Sequence, residues 1–283
     1  MGYNTLMTKI QTSRRGFLKG LAASALTGCA GLKGGAETVR IAHLGDPQLG
    51  FCLPIDSDAS YAACLERFQK MIGRTNALRP DLVVIAGDMC HHSENLTREW
   101  PDLIRRFDAP VVVTPGNHDL GNSVTAENLS RFRRVFGRDR DAVSVKGWLV
   151  IVGNSQFWRP TDLAAEREDY ERWVSARLEE AKDYGGHVIG VTHIPPFDQK
   201  ADEPDSYNNY PLRGRAQRLA RYREAGLNLY LAGHTHRYGN RTVRGLTILN
   251  PETTCRNFDN RPFGGRLLTL HPDHSFTYEF ISA

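Results

Sequence analysis

Five short blocks of carboxylate, amide and imidazole side chains punctuate the chain. They are Asp46-Pro47-Gln48, Gly87-Asp88, Gly116-Asn117-His118-Asp119, Thr192-His193 and Gly233-His234-Thr235-His236. Two further polar blocks, Asn154-Ser155-Gln156 and Asn208-Asn209-Tyr210, lie between them. This mixture of oxygen and imidazole donors suits manganese, iron, zinc or cobalt better than calcium or a soft copper site. Two such ions about 4 Å apart can hold a hydroxide between them and clamp a phosphoryl group. Coordination makes that hydroxide available near neutral pH. A neighbouring histidine can protonate the leaving oxygen. The implied reaction is hydrolysis of a phosphoric ester.

Any one of these residues alone would be read as structural, as His187, His271 and His274 are. The weight lies in their order. Gly-His-Thr-His is not the helical His-x-x-x-His pattern, so a zinc-protease reading finds no support. No CxxC spacing exists, and a cysteine-zinc site is likewise unsupported.

Most blocks follow directly on an apolar run, and those runs must position them. Residues 39–44, the wholly apolar 82–86 and residues 111–113 read as strands. Ala63, Leu65, Phe68, Ile72 and Leu78 recur at helical spacing, which predicts a helix over 60–78. Residues 95–107 read as a helix bent or restarted at Pro101, and 125–136 as a helix capped by Thr125. Residues 142–145 and 148–152 suggest a hairpin about Gly147. A charged helix over 163–184 ends at Gly185-Gly186. Strands at 187–191 and 227–231 flank a helix over 212–225, and the chain closes with strands at 246–250, 266–270 and 275–281. The pattern predicts one α/β domain over 38–283, with two facing sheets and helices outside. Ligands of such folds sit beyond the carboxyl ends of strands, where Asp88, Asn117, His193 and His234 fall.

The N-terminus is a different object. Ser13-Arg14-Arg15-Gly16-Phe17-Leu18-Lys19 has the twin-arginine export pattern, followed by an Ala/Leu stretch too short to span a bilayer. Leu26-Thr27-Gly28-Cys29 resembles the lipobox of bacterial lipoproteins. The expected organisation is a signal peptide over 1–28, lipidation at Cys29 and a Gly-rich tether over 29–37. The expected partners are therefore the twin-arginine translocon during export and a membrane through the lipid. The expected address is the periplasm or the outer surface of the cytoplasmic membrane. Simple cleavage near Ala30, giving a soluble periplasmic protein, is the alternative.

Charge follows from the same division. The 283-residue chain has a formal net charge of +4, and residues 1–28 hold four bases (Lys9, Arg14, Arg15 and Lys19) and no acid. The rest is balanced, so the charge gives no reason to expect nucleic-acid binding. Four cysteines follow Cys29: Cys52, Cys64, Cys90 and Cys255. Export favours pairing them, whereas folding in a reducing cytoplasm before export works against it.

The blocks together resemble the signature of calcineurin-like metallophosphoesterases. Asp46-Pro47-Gln48-Leu49-Gly50, Gly116 to Asn122, Asn154 to Phe157, His193-Ile194-Pro195 and Gly233 to Arg237 carry the likeness further. They resemble the branch containing the human serine/threonine phosphatase that has a lone calcineurin-like phosphoesterase domain. The resemblance implies a four-layer αββα sandwich of two mixed sheets and a dinuclear centre of manganese, iron or zinc. It assigns Asp46, Gln48 and His236 to the first metal, Asp88 to both, and Asn117, His193 and His234 to the second. It makes His118 the general acid, positioned by Asp119. Gln48 stands where the wider family has His and is a weaker, neutral donor. His91 is read as facing the substrate. Asn154 and Tyr210 lie on loops that could line the pocket, and Tyr207, Tyr210 and Trp158 serve loop packing as readily. The resemblance favours phosphomonoesters. A phosphodiesterase or nucleotidase on the same site is the alternative, and Gln48 would favour a surface-anchored binding protein without turnover.

Overall fold

The strand Leu82–Ile85 is buried at every residue and needs cover on both faces, which the fold supplies by stacking two sheets. In this computed structural model, residues 35–283 are described. The signal peptide, Cys29 and most of the expected tether lie outside the described residues.

Strands β1 (Val39–Leu44), β2 (Leu82–Ile85), β3 (Val111–Val113), β10 (Gly264–Leu270) and β11 (Phe276–Ser282) form one sheet in the order β11-β10-β1-β2-β3. In it β1, β2 and β3 are parallel, and β10 runs against β1 and β11. The second sheet takes β4 (Asp141–Val145), β5 (Trp148–Val152), β6 (Val188–Val191), β7 (Leu227–Leu231), β8 (Gly239–Val243) and β9 (Leu246–Asn250), in the order β4-β5-β6-β7-β9-β8. Its central strands are parallel and its two edges antiparallel. Two mixed sheets flanked by helices make the expected αββα sandwich.

Alternation divides each buried strand between two cores. Val39, Ile41, Leu82 and Val84 meet Val150, Val152, Ile189 and Leu229 between the sheets. Ala42, Leu44, Val83 and Ile85 turn the other way, into the cluster that holds Cys64, Phe68 and Met71 of helix α1 (Asp58–Leu78). Leu149 and Ile151 likewise leave the inter-sheet layer and join the cluster holding Tyr170, Val174 and Leu178. Thr114 Oγ1 donates to the Gly153 carbonyl at 2.6 Å and ties the ends of β3 and β5 together.

The region predicted to bend at Pro101 breaks outright. A 3-10 turn at Ser93–Thr97 is followed by helix α2 (Trp100–Arg105), with Pro101 in its first turn. Pro has no N–H to give to the preceding turn, so the first segment cannot run through it. Helix α3 (Asn117–Leu120) is short, and α4 (Ala126–Phe136) is capped by the Thr125 side chain as expected. Helix α5 (Ala164–Ala181) and α6 (Leu212–Glu224) follow the sequence reading closely. Strand β8 was not anticipated. Its Gly-Asn-Arg-Thr-Val sequence is polar, and among the described residues its only sheet partner is β9. Cys52 and Cys64 are disulfide-bonded, while Cys90 and Cys255 are free and buried. No helix among the described residues is long and apolar enough to cross a membrane.

Candidate metal centre

The turns after β1, β2, β3, β6 and β7 converge at one end of the sandwich and bring the five blocks together. Asp88, His193 and His234 form one buried triad of potential ligands, and Asp46, Asp88 and His236 form another. Asp88 belongs to both. In the first triad, His193 Nε2 stands 3.1 Å from His234 Nδ1, 3.1 Å from Asn117 Oδ1 and 3.3 Å from Asp88 Oδ2. Donors bonded to one tetrahedral ion at about 2.0–2.1 Å are spaced by about 3.3 Å. In the second, His236 Nε2 lies 3.6 Å from Asp46 Oδ1.

Backbone carbonyls hold the imidazoles. His193 Nδ1 donates to the Ala86 carbonyl at 2.8 Å, His234 Nε2 to that of Tyr207 at 2.9 Å and His236 Nδ1 to that of Arg256 at 2.7 Å. Each ring keeps its other nitrogen for the cluster, which is how ligating histidines are oriented. Sequence gave no sign of these carbonyls, because every residue type has one.

Glycine makes the approach possible. A Cβ on Gly233 would meet the Ala86 carbonyl oxygen at 2.5 Å and Asp46 Oδ2 at 2.7 Å. A Cβ on Gly116 would collide with the Asp88 carboxylate. Asp46, Gln48, Asp88, His234 and His236 all have positive φ, between 34° and 71°. Such backbone is costly for residues with side chains, and it clusters where function demands a particular direction.

The electrostatics of the cluster favour cations. Asp46, Asp88 and Asp119 are no more than 2% exposed, and among the described residues none has a lysine or arginine partner. Burial, and then the Asp88 charge after the opposing pull of His193, pushes Asp46 up to about 8. Burial and Asp88 push Asp119 up to about 7. Asp88 is held low, because His193 and His118 together outweigh its burial. The same attraction raises His193 to about 9 against its own burial. Burial lowers His234 to about 3 and His236 to about 4, so both are neutral, the state a metal ligand needs. Among the described residues, histidines alone offer positive charge to these three buried carboxylates. Divalent ions would match both the charge and the donor types.

Several expected residues take other places. The Asp119 carboxylate accepts from Met89 N–H at 2.9 Å and Gly116 N–H at 2.8 Å, so it builds the turn and does not orient His118. His118 Nδ1 instead donates to the His91 carbonyl at 2.9 Å. Asn154 does not face the pocket. It caps a 3-10 turn through Oδ1, accepting from Gln156 N–H, and gives Nδ2 to the Asp139 carboxylate. Tyr210 packs on Trp158 and under the Arg218 guanidinium. The tyrosine at the site is Tyr207, whose hydroxyl accepts from Asn117 Nδ2 at 2.7 Å and whose ring lies 4.7 Å from that of His234. Gln48 is buried beside Asp46, with Nε2 3.3 Å from His91 Nδ1.

A comparison with known families matches residues 39–238 to the one described as calcineurin-like phosphoesterase. The chain belongs to the calcineurin-like phosphoesterase family. The likeness extends to human serine/threonine-protein phosphatase CPPED1, 30% identical over 203 residues, covering 68% of this chain and 65% of that protein. Bovine CPPED1 is 30% identical over 60% of this chain and 58% of its own length. This calcineurin-like phosphoesterase thus spans roughly three-fifths of these relatives. A probable cyclic nucleotide phosphodiesterase of Synechococcus is 25% identical, covering 83% of this chain and 93% of its own. Among solved structures, a dimetal phosphatase from Danio rerio superposes with a TM-score of 0.61 at 14% identity, covering 88% and 97% of the two chains. That likeness supports the fold.

A calcineurin-like phosphoesterase with this cluster should gain stability from its ions. An ion free at about a hundred times its dissociation constant contributes about 2.7 kcal/mol. That corresponds to roughly 5 °C in a domain of this size. Calorimetry should show chelation lowering Tm by about that amount and manganese or zinc restoring it. A Tm indifferent to both would count against a metal centre here.

Proposed function

We propose that this enzyme hydrolyses phosphate monoesters and works outside the cytoplasm on a lipid tether. The observation that carries the reaction is the pair of buried triads sharing Asp88. Asp46, Asp88, His236 and Gln48 would hold the first ion, and Asp88, Asn117, His193 and His234 the second. Bound there, the ions supply Lewis acidity toward the phosphoryl oxygens and a nucleophilic water at neutral pH. The side chains do the rest. Asp88 sets the spacing of the two halves. The Ala86, Tyr207 and Arg256 carbonyls fix three rings so that no reorganisation is needed. His118 commits Nδ1–H to the His91 carbonyl, which leaves Nε2 as the nitrogen that, in the imidazolium form, delivers a proton to the leaving oxygen.

Similarity to phosphatases named for serine/threonine substrates supports monoesters. The Synechococcus phosphodiesterase, matched over nearly its whole length, supports a second reading on diesters. Purified enzyme with added manganese should turn over p-nitrophenyl phosphate faster than its bis-ester. The reverse order would establish the diester reading. Absence of turnover on both, with manganese, iron, zinc and cobalt each tried, would sink the catalytic proposal and favour an idle binding protein.

The address rests on Ser13 to Lys19 and on Leu26-Thr27-Gly28-Cys29. The Cys52–Cys64 disulfide supports it, because such bonds persist in oxidising compartments. Mass spectrometry of the mature N-terminus separates a lipidated Cys29 from a free end near Ala30.

A further inference from the structure

Beyond the two triads, a third group of ligand atoms stands beside His118. Asp56, His91 and His92 each offer one atom within 4.8 Å of the others. His92 Nε2 and His91 Nε2 converge on the same oxygen, Asp56 Oδ1, at 2.7 and 3.5 Å. Three donors on one zinc ion stand about 3.3 Å apart, close to the spacing of the two imidazole nitrogens from Asp56 Oδ1. Asp56 and His92 are half exposed, and ions can reach them. Among the described residues, these two histidines are the only side chains paired with the Asp56 carboxylate.

His91 is already aimed at this point. Gln48 meets its Nδ1, and an amide can serve either tautomer of the ring by donating or accepting. That contact orients the ring and leaves Nε2 toward Asp56, as an outer partner does for a ligating histidine. Phe51 stacks on the His91 ring at 4.8 Å, and His118 does so at 4.8 Å with 28° between planes. The His91 carbonyl is also the group that receives His118 Nδ1–H. A ligand bound by His91 therefore acts on the packing and the hydrogen bond that orient His118.

We infer that Asp56, His91 and His92 form a third, exposed site for a zinc-like divalent ion, and that filling it inhibits the enzyme. Two imidazoles and one carboxylate suit zinc, cobalt or nickel and disfavour magnesium and calcium. Three protein ligands leave a coordination position open to water or an anion. Drawing the His91 ring onto an ion displaces the surface against which His118 packs. The inference goes beyond the phosphoesterase reading and rests on it for the activity readout alone.

Enzyme carrying its core metals is titrated with zinc. Bound zinc is followed by equilibrium dialysis, and activity by phosphate release from an alkyl phosphate, whose leaving oxygen needs the His118 proton. Wild type should take up one more zinc per chain than Asp56→Asn or His92→Ala, and calcium should add none. Both variants should keep wild-type activity without added zinc, since neither side chain belongs to the core triads. Their half-inhibiting zinc concentration should rise at least about tenfold. Equal zinc uptake by all three proteins overturns the site. A lost ion with unchanged inhibition overturns the inhibitory role. If no metal-loaded protein turns over, the phosphoesterase reading fails, and the dialysis alone decides the site.

Discussion

Asp88→Asn should lose about three orders of magnitude or more in kcat/KM and fail to retain both ions. Two metals supply several kcal/mol of transition-state stabilisation, and each 1.36 kcal/mol is a decade in rate. Asp88 is the one carboxylate common to both triads, so its loss disturbs both halves at once. Asparagine is the informative substitution. Its oxygen can still accept from His118 N–H, as Asp88 Oδ1 does at 2.9 Å. The fold around Gly116 should therefore survive while the charge is removed. Removing that charge also withdraws the attraction that raises His193 to about 9. Metal analysis of the purified variant is the decisive measurement. Two tightly bound ions per chain would contradict the bridging role. A folded variant with one ion or none, and little turnover, is the expected outcome.

His118→Ala should behave differently, losing about 10²- to 10⁴-fold in kcat while keeping its metals. The side chain lies outside both triads, so metal content and Tm should stay close to wild type. Its ring is fixed by the His91 carbonyl, with Nε2 left to carry the transferred proton. The size of the loss should follow the leaving group. A p-nitrophenolate leaves readily without a proton, whereas an alkoxide does not, so alkyl phosphates should suffer more than aryl ones. A wild-type kcat on an alkyl phosphate would remove His118 from the acid role. A uniform loss across leaving groups would point to His118 positioning the substrate.

The strands and most helices were legible because their signals are local. The unbroken apolar run at Leu82–Ile85, the Thr125 cap and the turn about Gly147 each act within a few residues. Strand β8 was not legible, because an exposed edge strand with polar residues gains its identity only from the partner beside it. Asn154 and Tyr210 were misplaced for a related reason. Both lie on loops, and a polar residue on a loop can turn toward a pocket or toward its own backbone. Asn154 turned to Gln156 and Asp139. Three residues from Tyr210, Tyr207 reached the cluster instead.

The chain's order of Asp, Asn and His blocks after apolar runs determined, without any coordinates, the donor types and the class of reaction. Metal preference follows from donor chemistry, and donor chemistry is written in residue identity. Only the tertiary structure decided how those donors are held. It put Asp88 in both triads, gave each metal-facing imidazole a backbone carbonyl, and took His118 from Asp119 and gave it to His91. The same folding turned Gln48 toward His91, and with Asp56 and His92 it assembled a cluster that no motif announces. The reason is physical: a carbonyl or a half-exposed carboxylate carries no signature of its own. What it does is fixed only when residues far apart in the chain are packed within a hydrogen bond of it.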